Sequence, residues 1–273
     1  MLHHDHELDL HERRNWAGKA EAYARSFAKL CAHPAGDLLD LAGVGAGSRL
    51  LDVGTGSGTV ARLGIDRGAK VTAVDAEASM VRLTAGSVPE AEVRLGILPA
   101  LPLPDGAFDA VVANFVLNHV GDPRAAAAEL CRVAAPGGRV AVSIWPQPAG
   151  TAQTLWWQAI DAANAPRPTL MPRVAAHLDF ERNPTGLTSL LESAGLRDIR
   201  CRTITWTLRV DPDDWWSGPA GGLGTAGHVI AAQPPAMVAR IRAAFDQLSA
   251  PYMDNDGMLA LPTAALLAVG STC

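Results

Sequence analysis

The chain has 273 residues, of which 48% are hydrophobic, and it carries 28 acidic against 23 basic residues for a net charge of −5. Its basic residues are scattered rather than clustered, which disfavours a nucleic-acid partner. No apolar run approaches the ~20 residues that would span a bilayer, and the first residues lack the apolar core of a secretory signal. We therefore expect a cytoplasmic protein with no membrane partner.

The cysteines and the early histidines argue against a structural metal or a disulfide framework. Cys31, Cys131, Cys201 and Cys273 lie far apart and form no C-x-x-C pair, which favours reduced thiols. Histidines and carboxylates crowd positions 3–11, but this pattern is more typical of a solvated tail than of a metal site. No metal is predicted.

The first half of the chain has the pattern of a parallel α/β sheet. Residues 12–42 are apolar at helical spacing, which predicts two short helices separated near Pro34. Strands and helices then alternate, as in a sheet with helices on both faces. The predicted strands cover 48–53, 70–74, 91–95, 108–113 and 139–145, and the predicted helices cover 58–67, 77–86 and 123–134.

The alternation loosens after residue 145. A proline-rich segment over 146–181 predicts an irregular insertion with one helix near 152–163. A helix over 185–194 and a strand over 199–208 follow. Residues 211–250 predict a second insertion with a helix over 235–248, and the chain closes with a strand over 261–270.

The stretch LLDVGTGSG, residues 50–58, predicts a nucleotide-binding loop between a strand and a helix. Glycine lets backbone N–H groups approach a ligand closely. A dinucleotide fingerprint requires G-x-G-x-x-G, but Gly58 follows Gly56 by only two positions. Asp52 just before the loop would repel a pyrophosphate and would suit an ammonium group.

The next strand ends in Val74 and Asp75. A carboxylate at the tip of that strand can accept hydrogen bonds from both ribose hydroxyls of a nucleoside. This arrangement serves NAD and S-adenosylmethionine alike, so Asp75 indicates an adenosine ligand without choosing between them.

Four consecutive segments carry a family resemblance: LLDVGTGSG, VTAVDAEASM, LPLPDGAFDAVVANFVLNHV and ELCRVAAPGGRVAVSIW. In order and spacing they resemble class I S-adenosylmethionine-dependent methyltransferases, particularly the type 11 small-molecule group that includes quinone-biosynthesis enzymes. The resemblance covers about residues 48–145. It implies a doubly wound α/β fold with a Rossmann-like seven-stranded sheet whose last strand is antiparallel, elaborated by helical lid insertions.

The resemblance also implies a division of the chain and a cofactor site. The expected segments are N-terminal helices covering the cofactor site (1–47), a cofactor-binding core (48–145), a first lid insertion (146–184), a core helix and strand (185–209), a second lid insertion (210–260) and a last core strand (261–273). The expected cofactor-binding residues are Asp52, Gly54, Thr55, Gly56, Asp75, Ala76, Met80, Ile97, Leu98 and Asn114. Carried onto this sequence, the resemblance implies that the glycine loop faces the methionine part of the cofactor and that Asp52 faces its amino group. It also implies that Asp75 binds the ribose, that Met80 lies near the adenine and that the backbone of Asn114 borders the sulfonium.

One position departs from the family pattern. An Asp that accepts a hydrogen bond from the adenine amino group commonly follows the third strand, and the matching residue here is Ile97. We expect apolar packing by Ile97 and Leu98 to hold the adenine instead. One such hydrogen bond is worth roughly 0.5–1.5 kcal/mol, so Ile97→Asp should tighten cofactor binding.

The methyl acceptor is expected to be a small, largely apolar molecule. The Asn-Pro-Pro-aromatic segment of nucleic-acid amino methyltransferases is missing after Asn114, and no carboxylate cluster for a catechol-bound Mg²⁺ stands out. Six of the seven tryptophans follow residue 144, where they could form a lid over an apolar substrate. The expected substrate-binding residues are Tyr23, Trp145, Trp156, Trp215 and Tyr252.

A general base is needed only if the acceptor is protonated at the working pH. The candidates are His119, after the fourth strand, and His177 and His228 in the two insertions. Two alternatives stay open at this point: a nicotinamide-dependent oxidoreductase, which the Gly58 spacing and Asp52 oppose, and a protein that binds the cofactor without turnover.

Overall fold

The computed structural model describes residues 7–167 and 172–273. His3, His4 and His6 of the early histidine cluster lie outside the described residues, as do positions 168–171 of the expected first insertion. None of the helices in the described ranges is long and apolar enough to cross a bilayer.

A mixed β-sheet forms the centre of the molecule. Its strands are β1 (Arg49–Val53), β2 (Lys70–Asp75), β3 (Glu92–Leu95), β4 (Phe108–Asn114), β5 (Ala134–Ile144), β6 (Arg197–Val210) and β7 (Leu259–Ser271). Over the described residues the strand order is β3-β2-β1-β4-β5-β7-β6. The first five strands are parallel, whereas β7 is antiparallel to both β5 and β6. The predicted seven-stranded fold with an antiparallel last strand is confirmed.

Helices flank the sheet on both faces. They are α1 (Glu7–Trp16), α2 (Ala20–Arg25), α3 (Phe27–Ala32), α4 (Ala35–Leu41), α5 (Thr59–Asp66), α6 (Ala78–Ser87), α7 (Pro123–Val133), α8 (Thr151–Ala162), α9 (Pro184–Ser193), α10 (Pro212–Ala220), α11 (Gly224–Ala231) and α12 (Pro235–Ser249). Single 3-10 turns cover Leu117–His119 and Ala250–Tyr252.

Two apolar cores hold the sheet between its helices. Side chains of α7 and α9 pack on one face, and side chains of α4 and α5 pack on the other. Strands covered on both faces must be apolar throughout, which is why β1 and β4 are almost continuously buried.

A third core lies beyond the carboxyl end of the sheet. Helices α8, α10, α11 and α12 pack together with the ends of β6 and β7 around Trp156, Trp215 and Phe245. We call these four helices the helical cap. The two segments predicted as insertions thus pack against each other rather than separately.

The sequence patterns missed several helices. The N-terminal region holds four short helices instead of two, because Gly18 has a positive φ of 69° and Ser26 lies outside helical geometry. The segment 211–250 holds three helices instead of one. Only the helix over 235–248 was predicted in this insertion, but the Asp211 side chain also caps α10 by accepting hydrogen bonds from the N–H groups of Asp213 and Asp214.

Candidate functional site

A cavity of about 390 Å³ opens at the carboxyl ends of the central parallel strands. The chain runs from β1 outward through β2 to β3 and then crosses over to β4 on the other side of β1. Ligands of open α/β sheets bind at such a switch point. The volume lies within the roughly 300–1,000 Å³ typical of small-molecule sites. Residues from the sheet, from α1 to α3 and from the helical cap line the cavity.

The glycine loop after β1 forms the floor of the cavity. Gly54 and Gly56 both have positive φ, 69° and 56°. A Cβ at Gly54 would come within 2.5 Å of Val116, and one at Gly56 within 2.9 Å of the Tyr23 ring. Only glycine therefore fits at either position, and the loop backbone is left facing the cavity.

Asp75 fixes the glycine loop to the tip of β2. Its Oδ2 accepts a hydrogen bond from the Gly56 N–H at 2.9 Å, and its Oδ1 accepts one from the Glu77 N–H at 3.0 Å. Burial raises the pKa of Asp75 above its usual value, although these backbone hydrogen bonds oppose the rise. The carboxylate also lines the cavity, where its remaining lone pairs suit the paired hydroxyls of a ribose.

Asp52 occupies a different environment from the one expected for it. Its side chain is 1% exposed, and its Oδ2 accepts hydrogen bonds from Thr55 Oγ1 at 2.7 Å and from the Ala61 N–H at 3.1 Å. Burial raises its pKa to about 7. Asp52 and Thr55 do not line the cavity; they brace the glycine loop from below.

Apolar side chains form the wall next to Asp75. Ala76, Met80, Ile97 and Leu98, which were expected to bind the cofactor, all line the cavity. Ile97 is 38% exposed, whereas Leu98 is 9% exposed. An exposed isoleucine beside a cavity is available to cover a flat apolar ligand surface.

Asn114 is the centre of a polar network at the end of β4. Its Nδ2 donates to the Cys31 carbonyl at 2.8 Å, and its Oδ1 accepts from Ser143 Oγ at 2.6 Å. Ser143 Oγ in turn accepts from the N–H of Phe115, a residue with a φ of 58°. The network ties α3, β4 and β5 together and turns the Phe115 ring toward the cavity.

Aromatic rings make up the opposite wall. Phe115 stacks on Trp145 with ring centroids 3.6 Å apart and planes 13° apart. Trp156 contacts Phe27 at 5.0 Å between centroids, and both rings line the cavity. Tyr23 closes this wall near Gly56, and burial together with the neighbouring Cys31 thiol raises the Tyr23 pKa well above its usual value.

A carboxylate–imidazole pair lies at the rim of the cavity. His119 Nδ1 is 2.8 Å from Glu12 Oε2, and the Trp16 ring meets the His119 ring edge-on at 5.3 Å between centroids. Glu12, Trp16 and His119 all line the cavity. The sequence pointed to His119 but not to Glu12 or Trp16, because 107 positions separate Glu12 from its partner and no motif connects them.

Besides Asp52 and Thr55, four residues expected in the site do not line the cavity. His177 is exposed, and Tyr252 packs against the core of the helical cap. Trp215 is fully buried and stacks on the far side of Trp156 at 4.5 Å. His228 on α11 faces His11 rather than the cavity, with ring centroids 6.0 Å apart. We therefore give none of the four a role in binding or catalysis.

The polar groups of the cavity indicate which kind of cofactor it can hold. Within residues 7–167 and 172–273, no group of three or more His, Cys, Asp or Glu side chains is arranged to hold a metal ion. The donor set of the cavity is instead that of a nucleoside site: a close-approach glycine backbone, one carboxylate beside it and an apolar wall. An adenosine cofactor with a positively charged methionine part fits these residues.

Comparisons with known proteins agree with this fold and indicate a family. A family model described as a methyltransferase domain matches residues 51–142. A demethylmenaquinone methyltransferase of Renibacterium salmoninarum is 32% identical over 63% of this chain and 76% of its own length. A malonyl-[acyl-carrier protein] O-methyltransferase of Serratia marcescens is 36% identical over 45% of this chain and 49% of its own length. The YcgJ protein of Bacillus subtilis has the same fold, with a TM-score of 0.56 at 20% identity over 88% of this chain and 98% of its own.

Fold and cavity together define a Rossmann-like enzyme of the class I methyltransferase type. The chain belongs to the S-adenosylmethionine-dependent methyltransferases, and S-adenosylmethionine is its cofactor. Its reaction is methyl transfer, which decides against the two alternatives left open by the sequence, a nicotinamide-dependent oxidoreductase and a binding protein without turnover.

Proposed function

We propose that the acceptor is a small, largely apolar aromatic molecule that binds between the aromatic wall and the cofactor loop. The observation that carries this proposal is that one cavity contains both Asp75 with Gly56 and the stacked rings of Phe115 and Trp145. Ring faces bind flat aromatic molecules through dispersion and offset stacking. A cavity of about 390 Å³ also favours a metabolite over a nucleic acid.

The relatives' names offer two kinds of acceptor, and the cavity favours one of them. One relative is named for demethylmenaquinone, a quinone, and the other for a malonyl thioester on a carrier protein. The walls described above are dominated by indole and phenyl rings. They are better suited to a quinone or phenol ring than to a malonyl group, so we place the acceptor in the hydroxylated aromatic or quinol class.

S-adenosylmethionine supplies an electrophilic methyl group on a sulfonium. We assign its binding to Gly54, Gly56, Asp75, Met80 and Asn114, with Ile97 and Leu98 against the adenine. The protein positions the acceptor and excludes water from the site. An in-line substitution is accelerated most when the acceptor is held close to the methyl group and aligned with it in a water-poor site. We assign the covering of that site to the N-terminal helices of residues 1–47 and to the segments 146–184 and 210–260. His119 is the candidate base.

Incubation with S-adenosylmethionine carrying a deuterated methyl group tests the acceptor class. The panel pairs hydroxylated naphthoquinones, their reduced quinols and simple phenols with malonyl thioesters and aliphatic amines of similar size. We expect the label only in aromatic products, detected by mass spectrometry. Labelling confined to the thioesters or amines would overturn the proposal, and Asp75→Ala serves as the control for cofactor-dependent transfer.

A further inference from the structure

The base candidate His119 is held from one side by a residue of the N-terminal helix. Glu12 Oε2 lies 2.8 Å from His119 Nδ1 and accepts a second hydrogen bond from Trp16 Nε1 at 2.9 Å. The Glu12 side chain is 14% exposed and that of His119 is 36% exposed. The carboxylate is thus shielded from water while the imidazole remains accessible from the cavity.

The contacts of the Glu12 carboxylate favour its ionised form. Burial alone would raise its pKa, but attraction to His119 and hydrogen bonds from His119 and Trp16 hold the pKa below its usual value. An ionised carboxylate only accepts hydrogen bonds. The proton of a neutral His119 ring must therefore be on Nδ1, and the lone pair is left on Nε2.

Nε2 of His119 is free to act on a ligand. It has no hydrogen-bond partner among the residues that the structure describes, and His119 lines the cavity together with the aromatic wall. The pairing also depends on the docking of α1, since Asp9 on the same helix accepts a hydrogen bond from the Gly121 N–H at 2.6 Å. Both contacts join α1 to the segment just after β4.

We propose that Glu12 is a positioning residue that holds His119 as a base with Nε2 toward the acceptor, and that the acceptor therefore carries a hydroxyl that is protonated before transfer. This inference rests on the proposed function and narrows its acceptor class to phenols and quinols. A base is useful only where a proton must leave, and an oriented imidazole with a carboxylate behind it is suited to that task.

The step balances as a substitution coupled to one proton transfer. The hydroxyl proton of the acceptor goes to Nε2 of His119, and the acceptor oxygen, or a ring carbon activated by it, forms the bond to the methyl carbon. The bond between methyl and sulfur breaks with its electron pair remaining on sulfur, which gives S-adenosylhomocysteine. For a ring carbon, the proton displaced from that carbon goes to solvent. The Glu12 carboxylate stabilises the imidazolium that results.

Three variants separate this role from a structural one. Glu12→Ala removes the acceptor of the Nδ1 hydrogen bond, whereas Glu12→Gln keeps a hydrogen-bond acceptor and removes the charge. Glu7→Gln is the matched control, because Glu7 lies on the same helix and is exposed. Circular dichroism and thermal unfolding verify that all three fold.

The first readout does not depend on turnover. In ¹⁵N NMR of the histidine rings at alkaline pH, assigned with His119→Gln, we expect the Nδ1–H tautomer of His119 in wild type, Glu12→Gln and Glu7→Gln, and a tautomer mixture in Glu12→Ala. A predominant Nε2–H tautomer in the wild type would overturn the inference whatever the acceptor proves to be.

The second readout uses an aromatic acceptor from the labelling experiment. Positioned bases contribute roughly 10²–10⁴-fold, and we expect kcat to fall about 100-fold in Glu12→Ala and about tenfold in Glu12→Gln. KM and the Kd of S-adenosylhomocysteine should stay within about twofold, and Glu12→Asp should recover part of kcat. A wild type that methylates phenols while Glu12→Ala retains its kcat would refute the role of Glu12. A wild type that methylates only amines or thioesters would refute the proposed function instead.

Discussion

Asp75 both holds the glycine loop in place and lines the cavity. Its carboxylate accepts the Gly56 N–H at 2.9 Å and so holds the glycine loop, and the same group lines the cavity where a ribose is expected. Because one side chain does both, the conformation of the glycine loop is coupled to cofactor binding. Its removal should therefore affect binding more than the loss of one contact would.

Asp75→Ala is predicted to abolish measurable cofactor binding. Hydrogen bonds to a charged group contribute about 1.5–3 kcal/mol each, so losing two of them raises Kd by roughly a hundredfold or more. Titration calorimetry with S-adenosylhomocysteine measures this change. Asp66→Asn, an exposed carboxylate on α5, is the control and should bind normally. Normal binding by Asp75→Ala would show that the ribose assignment is incorrect.

Trp145 and Trp215 allow the binding and packing roles of tryptophan to be separated. Trp145 lines the cavity and stacks on Phe115 at 3.6 Å, while Trp215 is fully buried in the helical cap. Trp145→Ala should raise the KM of the aromatic acceptor roughly tenfold, because aromatic pairs contribute about 0.5–1.5 kcal/mol beyond burial. Trp215→Phe should lower Tm and leave this KM unchanged.

Steady-state kinetics with the Kd of S-adenosylhomocysteine measured in parallel decides the role of Trp145. A rise in KM with unchanged cofactor Kd places the ring against the acceptor, as proposed. A weakened cofactor Kd with unchanged KM would place it against the cofactor instead.

At the scale of elements, α1 combines few apolar contacts with several polar ones. Leu8 and Asn15 are its buried residues, and its links to the rest of the chain include the Asp9 and Glu12 hydrogen bonds to the segment after β4. Helices with little buried apolar surface open at low cost in free energy. Ligands that fill the cavity should stabilise α1, because Asp9, Glu12 and Trp16 line it.

Hydrogen exchange of the intact protein tests this coupling. We expect the amides of residues 7–16 to exchange roughly tenfold more slowly with saturating S-adenosylhomocysteine, which corresponds to about 1.4 kcal/mol of added local stability. Helix α9, which packs on the sheet core away from the cavity, is the internal control. Equal protection of α1 with and without the ligand would show that the helix does not respond to cofactor binding.

Sequence reasoning succeeded where structure is determined locally. Strands β1, β2 and β4 are short apolar runs bounded by glycines or polar residues, so their bounds were predicted to within about one residue. It failed for α10, whose glycine and prolines mask the capping signal of Asp211, and for α11, which begins without a side-chain cap. The family resemblance supplied the number of strands and the antiparallel direction of the last one, which no local pattern specifies.

The residues of the candidate site also fall into those that local motifs predicted and those that only the fold brings together. The residues after β1, β2 and β4 were predictable because the motifs that place them are contiguous in sequence. Glu12 was not, because its meeting with His119 depends on how α1 packs across the cavity. The burial of Asp52 was missed too, since the sequence does not reveal that Thr55 and Ala61 enclose its carboxylate.

At the scale of the whole molecule, the buried carboxyl group beneath the cofactor loop should lower the free energy of unfolding when it is ionised. The cavity lies between the sheet cores and the core of the helical cap. Beneath the glycine loop at this junction is the buried carboxyl of Asp52, which Asp75 also influences by charge repulsion. Such a group favours binding of a positively charged ligand nearby but opposes folding when it is ionised.

The buried Asp52 carboxyl predicts that the free energy of unfolding falls as the pH rises. Burial raises the pKa of Asp52 from 3.8 to about 7. The folded state therefore binds more protons than the unfolded state between these values, and stability falls as pH rises through that window. The loss is about 1.4 kcal/mol per pH unit and levels off above about pH 7.

Urea unfolding of the cofactor-free wild type and of Asp52→Asn at pH 5, 6, 7 and 8 measures this effect. The amide oxygen of Asn can still accept the hydrogen bonds from Thr55 and Ala61, and the variant has no charge to lose. We expect its free energy of unfolding relative to wild type to increase by about 2–3 kcal/mol from pH 5 to 7 and little more by pH 8. Asp66→Asn, at an exposed site, should show no such trend. If the difference in free energy of unfolding between Asp52→Asn and wild type does not change with pH, Asp52 is ionised in the folded protein throughout this range. The glycine loop would then lie above a carboxylate that stays charged although it is buried.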